Sequence, residues 1–404
     1  LCILISAKTN AQTLIIRNSD DAINIALKNN LSLKESSLQV QAQQALQRTA
    51  FELPKLALDV QLGQFNSNQF DNAILLSQTI PFPTVFKAKK ELLRVQTESK
   101  EVQIQISKNE LKKEVRNYYS QIEFYQNNQT VLWELDSLYN EFIRVAQLKY
   151  KTGETSKIEF YSAETRKGEI NLLMLQNQVF LENAYQHLKV LLNTTDSLNI
   201  IHPLIYSPIV INEILDTNFI SIHPSLQALE KELSALKQSK KVEKAIAMPD
   251  FSIAYNNQSI TGVQTINNEE VYFDEKDHFS SVSLGISIPI SYGTNKAKLK
   301  SLEYQIQARD AHVKQQELLL SAQLKNILVQ YRQDVLQFNY YRDLALPKIE
   351  ETVKAAQLGY RTGEISYVEY LYTLQTAKDM RLNYLKSILQ INQSAIAYLN
   401  LTNQ

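Results

Sequence analysis

The sequence predicts a mainly α protein with a small β part, in which one unit of long helices and two strands occurs twice. Three observations predict it. Eight glycines in 404 residues, and no proline between Thr84 and His202, leave room for very long helices. Apolar residues recur at 3–4 spacing over most of the chain, the pattern of packed helices. Residues 146–159 read AQLKYKTGETSKIE and residues 356–369 read AQLGYRTGEISYVE, identical at nine of fourteen positions. Each copy sets Thr-Gly between two long apolar-periodic stretches. That is how a helical hairpin turns, with glycine closing one helix and a serine or threonine opening the next.

Composition narrows the function. Formal net charge is zero, so no nucleic-acid partner is indicated. No run of 18 apolar residues follows the N-terminus, so no transmembrane helix is expected. Residues 1–11, with an apolar run and then Asn10-Ala11-Gln12, read as the remnant of a secretory signal cut after Ala11. Neither Met nor a basic stretch opens it, so this start reads as truncated. Cys2, the only cysteine, falls inside that segment.

The first repeat is expected over 20–193. A helix capped by Asp20 or Asp21 runs to Phe51 and stops at Leu53-Pro54. The period then changes to two. Leu56, Leu58, Val60 and Leu62 alternate with Ala57, Asp59, Gln61 and Gly63. Ile74, Leu76, Ile80 and Phe82 share one parity, broken by Gln78. This predicts a β-hairpin over 55–82 with one apolar face. From Thr84 to Tyr150 the helical spacing is unbroken, a rod of about 100 Å that must pack sideways on other long helices. A tip at 151–156 returns the chain as a helix to Leu192. A mixed linker follows at 194–222.

The second repeat, 223–404, runs in the same order. A helix from Pro224 ends at Met248-Pro249. A hairpin over 250–290 has a polar loop of about twenty residues between its strands. A long helix follows, which Pro347 should kink or break, then a tip at 361–366 and a returning helix. Four strands with one apolar face cannot close a barrel alone. In a secreted protein they suit a membrane barrel completed by other copies, and four strands from each of three chains would give about twelve.

The duplicated plan, the proline-bounded hairpins and the Y-x-x-G-x-x-S-x-[IV]-E turns at Tyr150–Glu159 and Tyr360–Glu369 resemble the TolC-like outer-membrane efflux family. The likeness covers about residues 20–403. It implies a homotrimer in the outer membrane of a Gram-negative bacterium. Three chains would share a twelve-stranded transmembrane β-barrel in outer-membrane lipid, continued by a periplasmic α-barrel of the helical hairpins. It further implies that the hairpin tips meet a periplasmic adaptor protein and an inner-membrane pump of the resistance-nodulation-division class. The docking residues on that reading are Tyr150, Thr152, Gly153, Glu154 and Ser156, with Tyr360, Thr362, Gly363, Glu364 and Ser366. The segment from Gln78 to Phe86 resembles members that serve heavy-metal pumps.

The family's gating ring often carries acidic residues six and nine positions after the second glycine. Here Glu369 and Tyr372 occupy those places, so the acidic pattern is half present, and Glu159 is a further gate candidate. Tyr150 and Tyr360 suit either packing at the tip or latch hydrogen bonds. The five histidines (187, 202, 223, 278 and 312) are scattered, with no metal-ligand spacing and no cofactor or catalytic motif. The expectation is a passive exit duct and not an enzyme. The same sequence leaves open the outer component of type I protein secretion and a non-channel periplasmic coiled-coil scaffold.

Overall fold

The computed structural model describes residues 13–201, 206–212, 218–290 and 292–403. The expected signal remnant, Cys2 and His202 lie outside them. The chain forms two compact units, one of residues 1–35, 104–223 and 317–404, the other of residues 36–103 and 224–316.

In the second unit four antiparallel strands form one sheet in the order β2-β3-β5-β8: β2 (Ala57–Gly63), β3 (Asp71–Ile80), β5 (Asp250–Ser259) and β8 (His278–Ser287). Register sets the faces. Leu58, Leu76, Tyr255 and Val282 align in one row, and Ile80, Phe251 and Ile286 in another on the same side. The opposite side carries Ala57, Ser77, Ala254 and Ser283 in register. The apolar face is uncovered: Leu58 is 63% and Leu284 81% exposed. So broad an exposed apolar face marks an interaction surface. Gln78, the polar break on that face, donates from Nε2 to the carbonyls of Pro54 (2.9 Å) and Thr79 (2.8 Å), so its amide is not left unsatisfied. Among the described residues the outer edges of β2 and β8 have no strand partner.

The polar loop expected between the last two strands contains a hairpin of its own, β6 (Gly262–Ile266) and β7 (Glu269–Phe273). Asn267 and Asn268 turn it with φ of 55° and 67°, the left-handed pair that suits a two-residue hairpin turn. Its charged composition hid the alternation.

The helix expected from Asp20 to Phe51 is three elements: α1 (Ser19–Asn29), α2 (Leu31–Leu46) and a 3-10 turn, Gln47–Phe51. Asn18, not an aspartate, caps α1, its Oδ1 accepting from Asp21 N at 2.8 Å. Asn30 makes the break. Its Oδ1 accepts from Ser32 N (2.9 Å) while its Nδ2 donates to Leu191 O (3.0 Å). The expected linker at 194–222 contains a strand: β4 (Ser197–Ile200) pairs in parallel with β1 (Thr13–Ile16).

α3 (Pro83–Lys151) and α4 (Lys157–Leu192) make one hairpin, whose tip lies in the first unit. The other is made by α7 (Tyr292–Tyr340), a π-helical turn (Tyr341–Ala345), α8 (Leu346–Thr362) and α9 (Tyr367–Leu401). Asn177 fixes the register of the first hairpin, donating to Tyr125 O (2.8 Å) and Gln129 Oε1 (2.9 Å) and accepting from Asn128.

Pro347 neither breaks nor sharply ends the second hairpin's outgoing helix, because the π turn precedes it. A π turn holds one extra residue. Lys87-Ala88-Lys89 and Lys296-Ala297-Lys298 stand 209 residues apart, whereas the tips stand 210 apart. Burial changes register at the same place. Leu111, Val115 and Ile122 match Leu320, Leu324 and Tyr331 at 209, and Leu135, Tyr139 and Ala146 match Ala345, Ile349 and Ala356 at 210. The turn absorbs a one-residue insertion and keeps the same face buried on either side. It also closes with Leu346 N–H on Tyr341 O, a wider loop that accommodates the proline ring.

Candidate functional site

Both tips turn by the same mechanism, and the identical residues build it. Thr152 Oγ1 donates to the carbonyls of Leu148 (3.3 Å) and Lys149 (3.0 Å); Thr362 Oγ1 donates to those of Leu358 and Gly359, both 3.2 Å. Gly153 (φ 79°) and Gly363 (φ 84°) take the left-handed conformation. Glu154 N then bonds Lys149 O and Glu364 N bonds Gly359 O, each at 2.8 Å, closing the helix end. Glu154 and Glu364 are exposed.

After the turn the copies diverge. Ser366 caps α9 in a reciprocal box: its Oγ accepts from Glu369 N (3.3 Å), and Glu369 Oε2 accepts from Ser366 N (2.8 Å). Those bonds, led by the one from Ser366 N, hold the Glu369 carboxyl below its ordinary range. Ser156 caps α4 without a side-chain bond. Its partner Glu159 is turned inward instead, 4% exposed, accepting from Thr155 Oγ1 and from Tyr360 Oη. The matching tyrosines differ likewise, with Tyr360 2% and Tyr150 42% exposed. Tyr372 stands 72% exposed on the same helix as Glu369.

Tyr360 is the centre of the contact between the two hairpins. Its ring stacks on Tyr370 at 4.9 Å and meets the edge of Phe142 at 5.3 Å. Lys149 Nζ lies 4.4 Å over the ring and donates to Tyr360 O at 2.8 Å. Burial first, then the bond to Glu159, pushes the Tyr360 hydroxyl far above its ordinary range, so it remains a donor. Beside it Arg361 pairs with Glu141, which Arg144 also holds at 2.8 Å. The Arg144 bond, then Arg361, lowers the Glu141 carboxyl from 4.5 to about 2. A depressed carboxyl contributes above its unfolded pKa, so this tie is whole above pH 4.5 and is lost as pH falls toward 2.

Motif reading singled out the identical positions and missed most of the interlock. Lys149, Thr155 and Arg361 stand where the copies differ, facing Gly359, Ile365 and Lys151 in the other copy. Each makes an inter-hairpin bond or holds Glu159 for one. The signal was present in those mismatches, because two hairpins that clasp each other need complementary and not identical residues.

Residues 218–404 match the family described as outer membrane efflux protein. They include the whole second hairpin, whose tip repeats in the first. The second repeat carries the mark of the outer membrane efflux protein family. Solved members of this fold agree over nearly the whole chain. CusC is similar at 18% identity, over 98% of this chain and 95% of its own, with a TM-score of 0.80. The Vibrio cholerae outer membrane protein VceC is similar at 13%, over 95% of both chains, with 0.77. The open-state Neisseria gonorrhoeae MtrE channel is similar at 15%, over 95% of this chain and 88% of its own, with 0.73. No curated relative matches by sequence. The matched family is one of outer membrane efflux proteins, and the solved structures that share the fold are described as outer-membrane or transmembrane channel proteins. Among the described residues no helix is long and apolar enough to cross a membrane.

Proposed function

We propose that three copies of this chain form a passive exit duct of a tripartite efflux system, fed by a periplasmic adaptor and an inner-membrane resistance-nodulation-division pump. The open-edged four-stranded sheet, apolar on its uncovered face and small or polar on the other, carries the reading. It satisfies its edge hydrogen bonds in lipid only by joining further copies. The strands supply the membrane part and the helical hairpins the periplasmic part.

The tips dock the adaptor. Leu148 and Leu358 (58% and 63% exposed) and the β-branched Ile158 and Val368 (67% and 55%) place similar apolar residues outward on both copies, beside the exposed Glu154 and Glu364. Matching surfaces suit one kind of partner helix on both hairpins. The Glu159–Tyr360 and Glu141–Arg361 bonds act as the latch within each chain. Glu369 and Tyr372 are the gate residues open to an axis. The cargo is heavy-metal cations, on the likeness of the segment Gln78–Phe86 to members serving such pumps.

A strain lacking the gene tests this. The wild-type chain should restore metal tolerance, whereas Gly363→Val should assemble normally and fail to restore it. A β-branched residue at φ 84° costs about 1–2 kcal/mol or more, enough to distort the tip but not the strands. Loss of assembly would make the tip structural and remove the docking role. Restored drug tolerance or protein secretion in place of metal tolerance would replace the cargo and keep the duct.

A further inference from the structure

Zero net charge conceals a sharp segregation along the strands of the sheet unit. At the end where strands pass into helices, residues 52–56, 81–91, 240–250 and 288–300 hold ten lysines against four carboxylates. At the other end, the segments 64–71 and 260–277 hold six carboxylates against one lysine, and all but the buried Asp71 are exposed. Every strand–helix junction contributes to the basic end. Lys55 precedes β2, Lys87 and Lys90 open α3, Lys241 and Lys244 close α6 (Pro224–Ile246), and Lys296 and Lys300 open α7. All seven are exposed. Two others in the belt are paired, Lys240 with Glu303 and Lys298 with Glu243 at 3.7 Å.

Apolar and aromatic groups accompany the lysines. Phe51 (62% exposed) stacks on Phe86 and lies 5.9 Å beneath Lys90 Nζ. Tyr304 (59%) lies 5.7 Å beneath Lys300 Nζ, and Tyr292 (76%) and Ile290 (88%) border the apolar strand face. A solvated helix face needs no such aromatics. Rings at headgroup level with lysines just outside an apolar band are what a protein sets against a lipid interface.

We infer that this basic belt binds anionic phospholipid headgroups of the leaflet facing the helices. The inference rests on the outer-membrane reading above and adds to it a lipid class and a side. Each lysine near an anionic surface is worth on the order of fivefold in affinity, and belts from several copies would act together. The acidic loops at the far end would repel the same headgroups, so the charge pattern also fixes which end of the strands faces that leaflet.

The test uses the full chain purified in neutral detergent, titrated with phosphatidylglycerol or with phosphatidylcholine while thermal unfolding is followed. Phosphatidylglycerol should raise the midpoint, phosphatidylcholine should not, and salt should weaken the effect. The triple variant K296Q/K298Q/K300Q should need at least about tenfold more phosphatidylglycerol for half the shift. The charge-keeping K296R/K298R/K300R should behave as wild type, which separates lost charge from lost folding. Equal shifts for wild type and the glutamine variant, or for the two lipids, would overturn the belt. Vesicles of each lipid separate the two readings. Insertion into both alike would overturn the belt and leave the outer-membrane reading standing, whereas insertion into neither would overturn both.

Discussion

Deleting Leu344 should destabilise the protein by about 3 kcal/mol or more. The deletion turns the π turn Tyr341–Ala345 into a plain α-helical one, with two consequences. Pro347 would then meet the carbonyl four residues before it without the wider loop that now accommodates its ring. The buried faces on either side would also lose alignment by about 100°, one residue of helical rotation. Either Leu324 and Leu328 above or Ile349 and Val353 below would leave the core. Leu344 itself is 45% exposed, so its own side chain contributes little of the loss. Adding Pro347→Ala to the deletion should recover the proline part and not the register part. Thermal unfolding of the three proteins in detergent checks this. An unchanged midpoint for the deletion would mean that the turn absorbs no insertion.

Val282→Lys should be nearly as severe. Val282 lies in the middle row of the apolar strand face, aligned with Leu58, Leu76 and Tyr255, and is 67% exposed. If that face meets lipid, a lysine there costs about 2–4 kcal/mol in each chain. Ser283→Lys, one residue on and on the opposite face, should cost far less because that face would line water. The yield of heat-resistant assembled protein on gels measures both. Equal tolerance of the two lysines would mean that the apolar face meets no lipid.

How legible these features were in the sequence depended on their range. Period-two alternation in residues 56–62, 74–82, 251–256 and 281–288 predicted the four strands and their apolar face, because alternation is a local property of each strand. Thr-Gly at each tip predicted both hairpin turns for the same reason. The Asn30 break was missed because its capping bonds look no different in sequence from a helical asparagine, and one of them reaches Leu191. The pairing of β1 with β4 joins segments far apart in the chain, which no periodicity records. Pro347 reads as a breaker in sequence because the compensating extra residue shows only when two offsets, 209 and 210, are compared. At the tip, the motif identified the turn but not the clasp. Glu159 and Glu369 occupy the same place in the repeat, yet one is buried against Tyr360 and the other caps its own helix. Thr155 in place of Ile365 supplies one hydroxyl for that difference, and Tyr360, which is buried where Tyr150 is exposed, supplies the other.

Single-channel conductance of the purified protein in planar lipid bilayers shows whether the tips hold the duct shut. Wild type should conduct weakly. Tyr360→Phe, which removes the hydroxyl bound to Glu159 and keeps the ring stacked on Tyr370, should conduct more strongly with assembly unchanged. No conductance from either protein, with both folded and assembled, would contradict a channel and return the chain to a coiled-coil scaffold.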